Sequence, residues 1–379
     1  MKILFITKTL LKGGSASGSS NLITALEIAG HEVIPYGGYE NTNSYLQRTK
    51  RFIERVIDHF FFDANTHCTR LFRPTFELQK IVKKHNPDIV QLGDVSGNVI
   101  SFSELSNLPC PVVHRMSDFW PYHGPSHYAL PGENDGRLIA NWFFKKTIFN
   151  GLNLPTVRVA PSHWLAKSLR VYPSIKAPIR VIPNAVQLPQ IFPGSRPDEY
   201  RIRFGFISNQ VTDPRKGFYR VLHPLLALSK QGFEVSLHVY GRIAEREKTW
   251  CSGLDITYHG SFSRENICEV FDTFDILLCP SRLDNSPNTV CEALSYGRPV
   301  IAQSGTGMDS YIDKSYGALI DFWHKSDEVC LHFTTKCKQI ILDYDQFSCN
   351  ARQYVNDNLS PAVIGEKYTS LYREIIDLY

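Results

Sequence analysis

Short apolar, β-branched runs alternate with longer stretches of helical periodicity, and this alternation constrains the fold of the 379-residue chain more than any other feature. It is typical of β-α-β units, in which helices cover a parallel sheet. The strands predicted in the first half are Lys2–Thr7, Glu32–Pro35, Asp88–Leu92, Pro111–His114, Arg158–Pro161 and Ile179–Ile182. The helices predicted there are Gly18–Ala29, Pro74–His85 and Ser162–Val171, with Ser162 as an N-cap.

The pattern stops at a proline-rich stretch, Gln187–Pro197, which is typical of an interdomain hinge, and then restarts. The later strands are predicted at Arg203–Ser208, Glu234–Tyr240, Ile256–His259, Asp275–Pro280 and Pro299–Ala302. The later helices are predicted at Lys216–Lys230, Arg264–Thr273, Pro287–Tyr296 and Pro361–Tyr379. Because the chain is too long for one ordinary core, we expect two doubly wound α/β domains, 1–188 and 189–360. The last helix, 361–379, could cross back to the first domain.

The composition excludes several classes of protein. The nine cysteines are an odd number without a C-x-x-C pair, which indicates reduced thiols rather than a disulfide framework or a zinc site. No apolar run has the length that spans a bilayer, and the N-terminus lacks the pattern of a cleavable signal peptide. We therefore expect a cytoplasmic protein.

The net charge of +4 is unevenly distributed. Met1–Leu188 holds 21 of the 41 Lys and Arg residues but only 13 of the 37 Asp and Glu residues. A basic first domain suits an anionic partner, such as a lipid diphosphate or the inner face of a membrane, and random surface variation explains the charge equally well. The basic residues are dispersed, without a zinc finger or an aromatic stripe, so nucleic acid is not an expected partner.

Chemistry is expected where predicted strands turn into helices, and Cys279–Gln303 is the most informative such stretch. Pro287 suits the first position of a helix, Asn285 or Ser286 suits its N-cap, and Gly297 suits its C-terminal stop. The first-turn amides, including those of Asn288 and Thr289, would form an anion site. Asp284 in the loop and Glu292 on the helix place two carboxylates beside it. By spacing alone, a turn aspartate and a solvated helix glutamate explain the pair as well.

The segment PSRLDNSPNTVCEALSYGRPVIA, Pro280–Ala302, resembles the donor site of family 4 retaining glycosyltransferases, most of all the bacterial exopolysaccharide or colanic-acid type. The resemblance implies a GT-B fold, α/β with two Rossmann-like doubly wound domains facing across a cleft. It also implies a UDP- or GDP-sugar substrate, with no cofactor and no metal. In that family the second glutamate of the motif binds the ribose, which places this role on Glu292. The first contacts the donor sugar, and Asp284 stands at its position.

Two further segments of the second half resemble the same family. In FGFISNQVTDPRKG, Phe204–Gly217, the resemblance places Lys216 on the donor diphosphate. An arginine that many members carry at the end of the preceding strand is replaced here by Ser208, Asn209 and Gln210, so Arg215 is a candidate substitute. In the loop SGTGMDS, Ser304–Ser310, the backbone of Gly305, Thr306 and Gly307 is expected to approach the sugar. The full set of donor-binding candidates is Glu292, Arg215, Asn209, Asn285, Ser286, Asn288, Thr289, Gly305, Thr306 and Gly307.

The first half resembles the family less closely. Gly13, Gly14 and Ser15 stand in a glycine turn that would approach the donor diphosphate or the acceptor. His114–Tyr128, HRMSDFWPYHGPSHY, resembles an element that ends near the reacting sugar, with Asp118, Trp120 and His127 among the matches. A histidine of the family aligns with Ser117, and either His114, His123 or Asp118 could take its role. The acceptor or sugar candidates are therefore His114, Trp120, His123 and His127.

The predicted activity is retaining transfer of a sugar from a nucleoside-diphosphate sugar to a hydroxyl acceptor, glycan or lipid-linked, with Lys216, Asp284 and Asp118 as catalytic candidates. A nucleotide-sugar 2-epimerase on the same fold and a non-catalytic sugar-nucleotide binding protein are the alternatives. Asp343 and Asp345 form a D-x-D pair, but they lie far from the motifs and indicate an exposed turn rather than a metal site.

Overall fold

A computed structural model of the chain describes residues 1–11, 14–38, 78–96, 99–100, 102–122, 156–172, 178–190, 200–248, 253–324 and 326–379, with isolated positions at 40, 45, 49–50, 52–53, 56, 127, 175 and 198. The chain forms two compact units. The first comprises Met1–Ala185 and Pro361–Tyr379, and the second comprises Val186–Ser360. The boundary thus follows Ala185 rather than Leu188, and the last helix belongs to the first unit.

The first unit contains, within the described residues, a six-stranded sheet in the order β2-β1-β3-β4-β5-β6. All neighbouring strands are parallel. The strands are β1 Lys2–Thr7, β2 Glu32–Gly37, β3 Ile89–Leu92, β4 Val112–Arg115, β5 Thr156–Ala160 and β6 Ile179–Val181. The strand predictions for this half are confirmed, with small shifts at the ends.

Helices α1 Gly14–Ile28, α2 Leu78–His85 and α3 His163–Leu169 belong to the same unit. The predicted N-cap of α3 is confirmed, because the Ser162 hydroxyl accepts a hydrogen bond from the Leu165 amide at 3.2 Å. Helix α1 begins before its predicted start at Gly18.

The C-terminal helix, Pro361–Leu378, packs on α1. A Cβ atom on Gly365 would lie 2.3 Å from the Ala25 carbonyl oxygen, so the two helices approach each other backbone to backbone. The Tyr372 hydroxyl donates to the Gln91 side-chain oxygen at 2.7 Å, and His31 Nε2 lies 2.7 Å from Thr369 Oγ1. These buried contacts integrate the last helix into the first unit.

The second unit contains a six-stranded parallel sheet among its described residues, in the order β12-β11-β10-β7-β8-β9. The strands are β7 Arg201–Gln210, β8 Glu234–Arg242, β9 Asp255–Gly260, β10 Ile276–Cys279, β11 Val300–Gln303 and β12 Gly317–Ile320. The helices are α4 Phe218–Ser229, α5 Glu245–Lys248, α6 Ile267–Asp272, α7 Asn288–Ser295, α8 Ser326–Leu342 and α9 Tyr344–Leu359. No prediction covered α5, β12, α8 or α9.

Alternating residues of the central strand β10 face two separate cores. Ile276 and Leu278 pack in the core that includes α4 and α8, whereas Leu277 and Cys279 pack in the core that includes α7 and α9. Helices therefore cover both faces, as the period of two along a strand requires. Polar groups that approach a ligand are left to the loops at the carboxyl edge.

Candidate functional site

Two strand-to-helix turns of the second unit meet at the carboxyl edge of its sheet. They follow the adjacent strands β7 and β10, and the Arg282 amide of one turn donates to the Arg215 carbonyl of the other at 2.8 Å. Lys216 Nζ lies 2.9 Å from Asp284 Oδ2, with the side chains 30% and 15% exposed. Two candidates that are distant in sequence thus form a half-buried ion pair.

Backbone geometry places Lys216. A short 3₁₀ turn, Pro214–Lys216, precedes α4, so the helix starts at Phe218 and not at the predicted Lys216. Gly217 has φ +72°, and a Cβ atom there would lie 2.7 Å from the Pro280 carbonyl oxygen. Only glycine fits this left-handed position against the neighbouring turn. The left-handed turn at Gly217 therefore positions the preceding residue, Lys216, at the carboxyl edge of the sheet.

Arg215, the candidate substitute for the missing arginine, is tied to its own turn. Its amide donates to Asp213 Oδ1 at 3.0 Å, and its guanidinium forms an ion pair with the same carboxylate. The Arg215 side chain is 23% exposed. A second cation at this edge comes from a residue that the sequence reasoning missed.

That residue is Arg242, at the end of β8 and opposite Gln210 in the register of β7. Its guanidinium donates to the side-chain oxygen of Asn209 at 3.4 Å, and its side chain is exposed. Because β7 and β8 are adjacent, Arg242 reaches the edge where the family carries an arginine on β7 itself. The strand prediction ended at Tyr240, so it gave no reason to consider the next residues.

The loop after β11 packs under the loop that carries Asp284. A Cβ atom on Gly307 would lie 2.0 Å from the Asn285 carbonyl oxygen, and the Gly307 amide donates to the Asp284 carbonyl at 2.8 Å. The Gly305 amide donates to the Asp309 carboxylate at 3.0 Å, and the Thr306 hydroxyl donates to the Gln303 carbonyl at 3.1 Å. The Gly307 amide thus joins the two loops, whereas the Gly305 amide is bonded within its own loop, and the approach of this backbone to a sugar stays a prediction.

Helix α7 begins at Asn288, after Pro287, which contributes no side-chain cap. Neither predicted N-cap residue occupies the cap position. Asn285 is buried, and the Ser286 hydroxyl lies 2.6 Å from the Tyr311 hydroxyl. Gly297 has φ +71°, which confirms the predicted left-handed stop. Asn288 and Thr289 occupy the first turn, where amides lack an acceptor within the helix.

Glu292 lies in the second turn of α7, with its side chain 14% exposed. Its carboxylate forms an ion pair with the Arg264 guanidinium, from the 3₁₀ turn Arg264–Asn266 that follows β9. Burial raises the pKa of Glu292 to about 7, and the positive charge of Arg264 opposes this increase. Burial and the Glu292 and Asp284 carboxylates raise the pKa of the Cys291 thiol, which indicates that both carboxylates act on the same segment.

The first unit holds a second cluster at the carboxyl end of β4. Asp118 accepts the Trp120 amide through Oδ1 at 2.8 Å, and its Oδ2 lies 2.6 Å from His127 Nδ1. The Trp120 ring stacks on the His127 ring at 6.2 Å, and Phe102 contacts both Trp120 and His114. All four candidates His114, Asp118, Trp120 and His127 are buried.

The pKa values of His114 and His127, the two histidines of this cluster, shift in opposite directions. Burial, followed by the charge of Arg158, lowers the pKa of His114 to about 3, so this imidazole is neutral at neutral pH. Burial also disfavours the charged form of His127, but the Asp118 carboxylate outweighs it and raises the pKa. Asp118 is thereby engaged through both oxygens.

Sequence reasoning missed two charged residues beside this cluster, Lys8 after β1 and Asp94 after β3. Lys8 Nζ donates to the Ser96 hydroxyl at 3.3 Å. Burial disfavours the ionised form of Asp94, but Lys8, His127 and hydrogen bonds from Ser96 lower its pKa below the usual value. The available signal was the position of Asp94 just past the end of a buried strand, after Gly93.

The remaining candidates lie elsewhere. Gly13 and His123 fall outside the described residues. Gly14 and Ser15 form the first turn of α1 rather than the predicted loop before a helix. Asp343 and Asp345 are exposed at the start of α9. Within the described part of the chain, no group of three His, Cys, Asp or Glu side chains could hold a metal ion, and no helix is long and apolar enough to cross a membrane.

Both halves of the chain match family models of glycosyltransferases. The model of Glycosyltransferase Family 4 matches residues 12–189, and the model of Glycosyl transferases group 1 matches residues 201–328. The two models together span most of the chain. The chain belongs to the family 4 glycosyltransferases, as predicted from its motifs.

A curated relative and several solved structures are similar to the chain. The colanic acid biosynthesis glycosyl transferase WcaC of Escherichia coli is 23% identical over 128 residues, which cover 34% of this chain but only 30% of that relative's length. Sucrose-phosphate synthase from Thermosynechococcus elongatus superposes with a TM-score of 0.66 at 14% identity over the whole of both chains. Anabaena HepE in complex with UDP-glucose gives a TM-score of 0.61 at 14% identity, over 99% and 100% of the two chains. The GT-B fold predicted from the sequence is confirmed.

Proposed function

We propose that this protein transfers a sugar, with retention of configuration, from a UDP- or GDP-sugar to a hydroxyl acceptor in polysaccharide or glycan assembly. The observation that carries the proposal is the Lys216–Asp284 ion pair at the carboxyl edge of the sheet in the second unit, with Glu292 on the helix that follows the Asp284 loop. Family membership and the likeness to WcaC and to HepE with its UDP-glucose support it.

Each residue has a role that its chemistry suits. Lys216 is a compact cation beside a helix start, suited to neutralise the diphosphate as it leaves. Glu292 accepts hydrogen bonds from the ribose hydroxyls, which a carboxylate does about twice as strongly as a neutral acceptor. Asp284 pairs with Lys216. Once the diphosphate binds the lysine, the Asp284 carboxylate is suited to accept hydrogen bonds from hydroxyls of the donor sugar. Arg242 adds positive charge at the same edge, whereas the charge of Arg215 is balanced by Asp213. Stabilisation of the leaving diphosphate is the main catalytic contribution, and no metal is invoked.

The first unit would present the acceptor, and His127, held by Asp118, is the group there best suited to contact a sugar hydroxyl. A contact of this basic unit with acidic lipid headgroups remains a prediction of the charge distribution. Cosedimentation with vesicles with and without an anionic lipid tests it.

The decisive experiment incubates the protein with a panel of UDP- and GDP-sugars and hydroxyl acceptors and follows products by NMR. We expect donor consumption, a free nucleoside diphosphate, and a new glycosidic bond with the anomeric configuration of the donor. The double variant K216M/E292Q is the matched blank. Inverted product, interconversion of the free donor, or binding without consumption would each contradict the proposal.

A further inference from the structure

We propose that Arg264 is a positioning residue for the nucleotide site, holding the Glu292 carboxylate ionised and oriented so that it can accept the ribose hydroxyls. This inference rests on the proposed function. It concerns a residue outside every motif that indicated the site.

The geometry of the ion pair is asymmetric. The Glu292 side chain is 14% exposed, whereas that of Arg264 is 51% exposed. Arg264 therefore keeps much of its hydration, while Glu292 lies in a poorly solvated position where a lone carboxylate is unfavourable. A guanidinium stays protonated in proteins, so the glutamate is the partner that changes its charge.

The helix itself does little for Glu292. The positive end of the helix dipole acts mainly within the first turn, and Glu292 lies one turn further along α7. The backbone around it is fixed, because its carbonyl accepts the Tyr296 amide at 3.1 Å and the Ser295 hydroxyl at 2.7 Å. The positive charge that stabilises the Glu292 carboxylate therefore comes from Arg264 and not from the helix dipole.

Several titratable groups surround this pair. Tyr296 has its pKa raised by burial and then by Cys268 and Glu292, and the Cys291 thiol also has a raised pKa. These groups are neutral near pH 7. Burial raises the pKa of Glu292 to about 7 even with Arg264 in place, so loss of the arginine would move its titration to higher pH.

The consequence for binding depends on pH. An increase of one in the pKa of Glu292 lowers its ionised fraction at pH 7 from about one half to about one tenth, and at pH 9 the change is negligible. Arg264→Met should therefore weaken UDP or GDP binding about fivefold at pH 7 and less than twofold at pH 9. If Arg264 contacted the nucleotide directly, the loss would be similar at both pH values.

The experiment measures nucleotide affinity and, without nucleotide, the pKa of Glu292. Calorimetric titration of UDP and GDP from pH 6 to 9 compares the wild type with Arg264→Met and Arg264→Lys, where lysine should preserve the wild-type pH profile. A carbon-13 NMR titration of labelled glutamate carboxyls, with Glu292→Gln for assignment, follows Glu292 without nucleotide. Arg201→Met is the matched control, because Arg201 pairs with Glu234 at 3.3 Å at the opposite edge of the sheet.

We expect Glu292 to titrate at higher pH in Arg264→Met and unchanged in Arg201→Met. An unchanged pKa of Glu292 in Arg264→Met, or an equal loss of nucleotide affinity at all pH values, would overturn the inference. In either case, UDP or GDP binding by the wild type would leave the proposed function standing. Failure of the wild type to bind either nucleotide would overturn the proposed function and the inference together.

Discussion

The two units carry charged clusters at the carboxyl edges of their sheets, yet solvent reaches these clusters differently. In the first unit the Asp118 and His127 side chains are 13% and 7% exposed. In the second, each carboxylate is similarly shielded, but its cation, Lys216 or Arg264, is 30% or 51% exposed. In the first cluster both members of the ion pair are shielded from solvent, whereas the second offers positive charge to an anion.

This difference predicts a division of effects. A buried hydrogen-bonded ion pair is costly to break, because the remaining partner stays desolvated. A half-exposed cation contributes little to stability but can be redirected to a ligand. Substitutions in the first unit should therefore mainly reduce stability, and substitutions in the second should mainly reduce nucleotide binding and turnover.

The largest effect is expected at Lys216. Lys216→Met should lower turnover by about two orders of magnitude, because it removes a charge that stabilises the leaving diphosphate. Initial rates of donor consumption measure this effect, with Lys230→Met, an exposed lysine of the same unit, as the control. A rate within threefold of wild type would show that this edge is not the donor site.

The next effect concerns Asp118. Asp118→Asn should cost about 3 kcal/mol of unfolding free energy, because His127 loses its buried partner. The folded-state pKa of His127 is raised, so its contribution to stability is complete below its unfolded pKa near 6.5 and is lost as pH rises through the folded value. The deficit of the variant should thus be largest in acid and shrink in alkali.

Thermal and urea unfolding at several pH values measure this deficit, with Asp377→Asn as an exposed aspartate control in the same unit. Equal deficits at pH 5 and pH 9 would argue against a charged His127.

Glu292 should show opposite effects on binding and on stability. Glu292→Gln should weaken UDP or GDP binding about tenfold through loss of charge-assisted hydrogen bonds. Because the pKa of Glu292 is raised by burial, its ionisation destabilises the fold as pH rises, so the variant should be more stable above pH 7, by up to about 3 kcal/mol. Calorimetric titration and urea unfolding at pH 6 and 8.5 check both; a variant less stable at pH 8.5 would contradict this view.

The smallest effect is expected at Arg242. Arg242→Met should weaken binding of a nucleoside diphosphate about fivefold at low ionic strength and less in high salt, since an exposed charge is screened. Binding titrations of UDP at two salt concentrations, beside Arg201→Met, measure this. Equal UDP affinity of Arg242→Met and Arg201→Met would show that Arg242 does not contribute to nucleotide binding.

Local patterns predicted much of the fold and part of the site. The predicted strands are present because each is a short apolar run bounded by turn residues, a signal contained in neighbouring positions. Helices α8 and α9 were missed because they contain many residues of middling helix propensity, among them Thr335, Cys337 and Asn350, and are stabilised by tertiary packing. Arg264 and Arg242 were missed because nothing near them in sequence identifies their partners.

The sequence by itself determined the family, the two parallel sheets and the turns where Lys216, Asp284 and Glu292 stand, because motif and periodicity are properties of consecutive residues. Only the tertiary structure decided which charges meet: Lys216 with Asp284, Arg264 with Glu292, and Asp118 with His127. It also decided that the last helix packs on α1. The reason is physical, since the free energy of an ion pair depends on distance and solvent exposure, and both are set by chain segments that are remote in sequence.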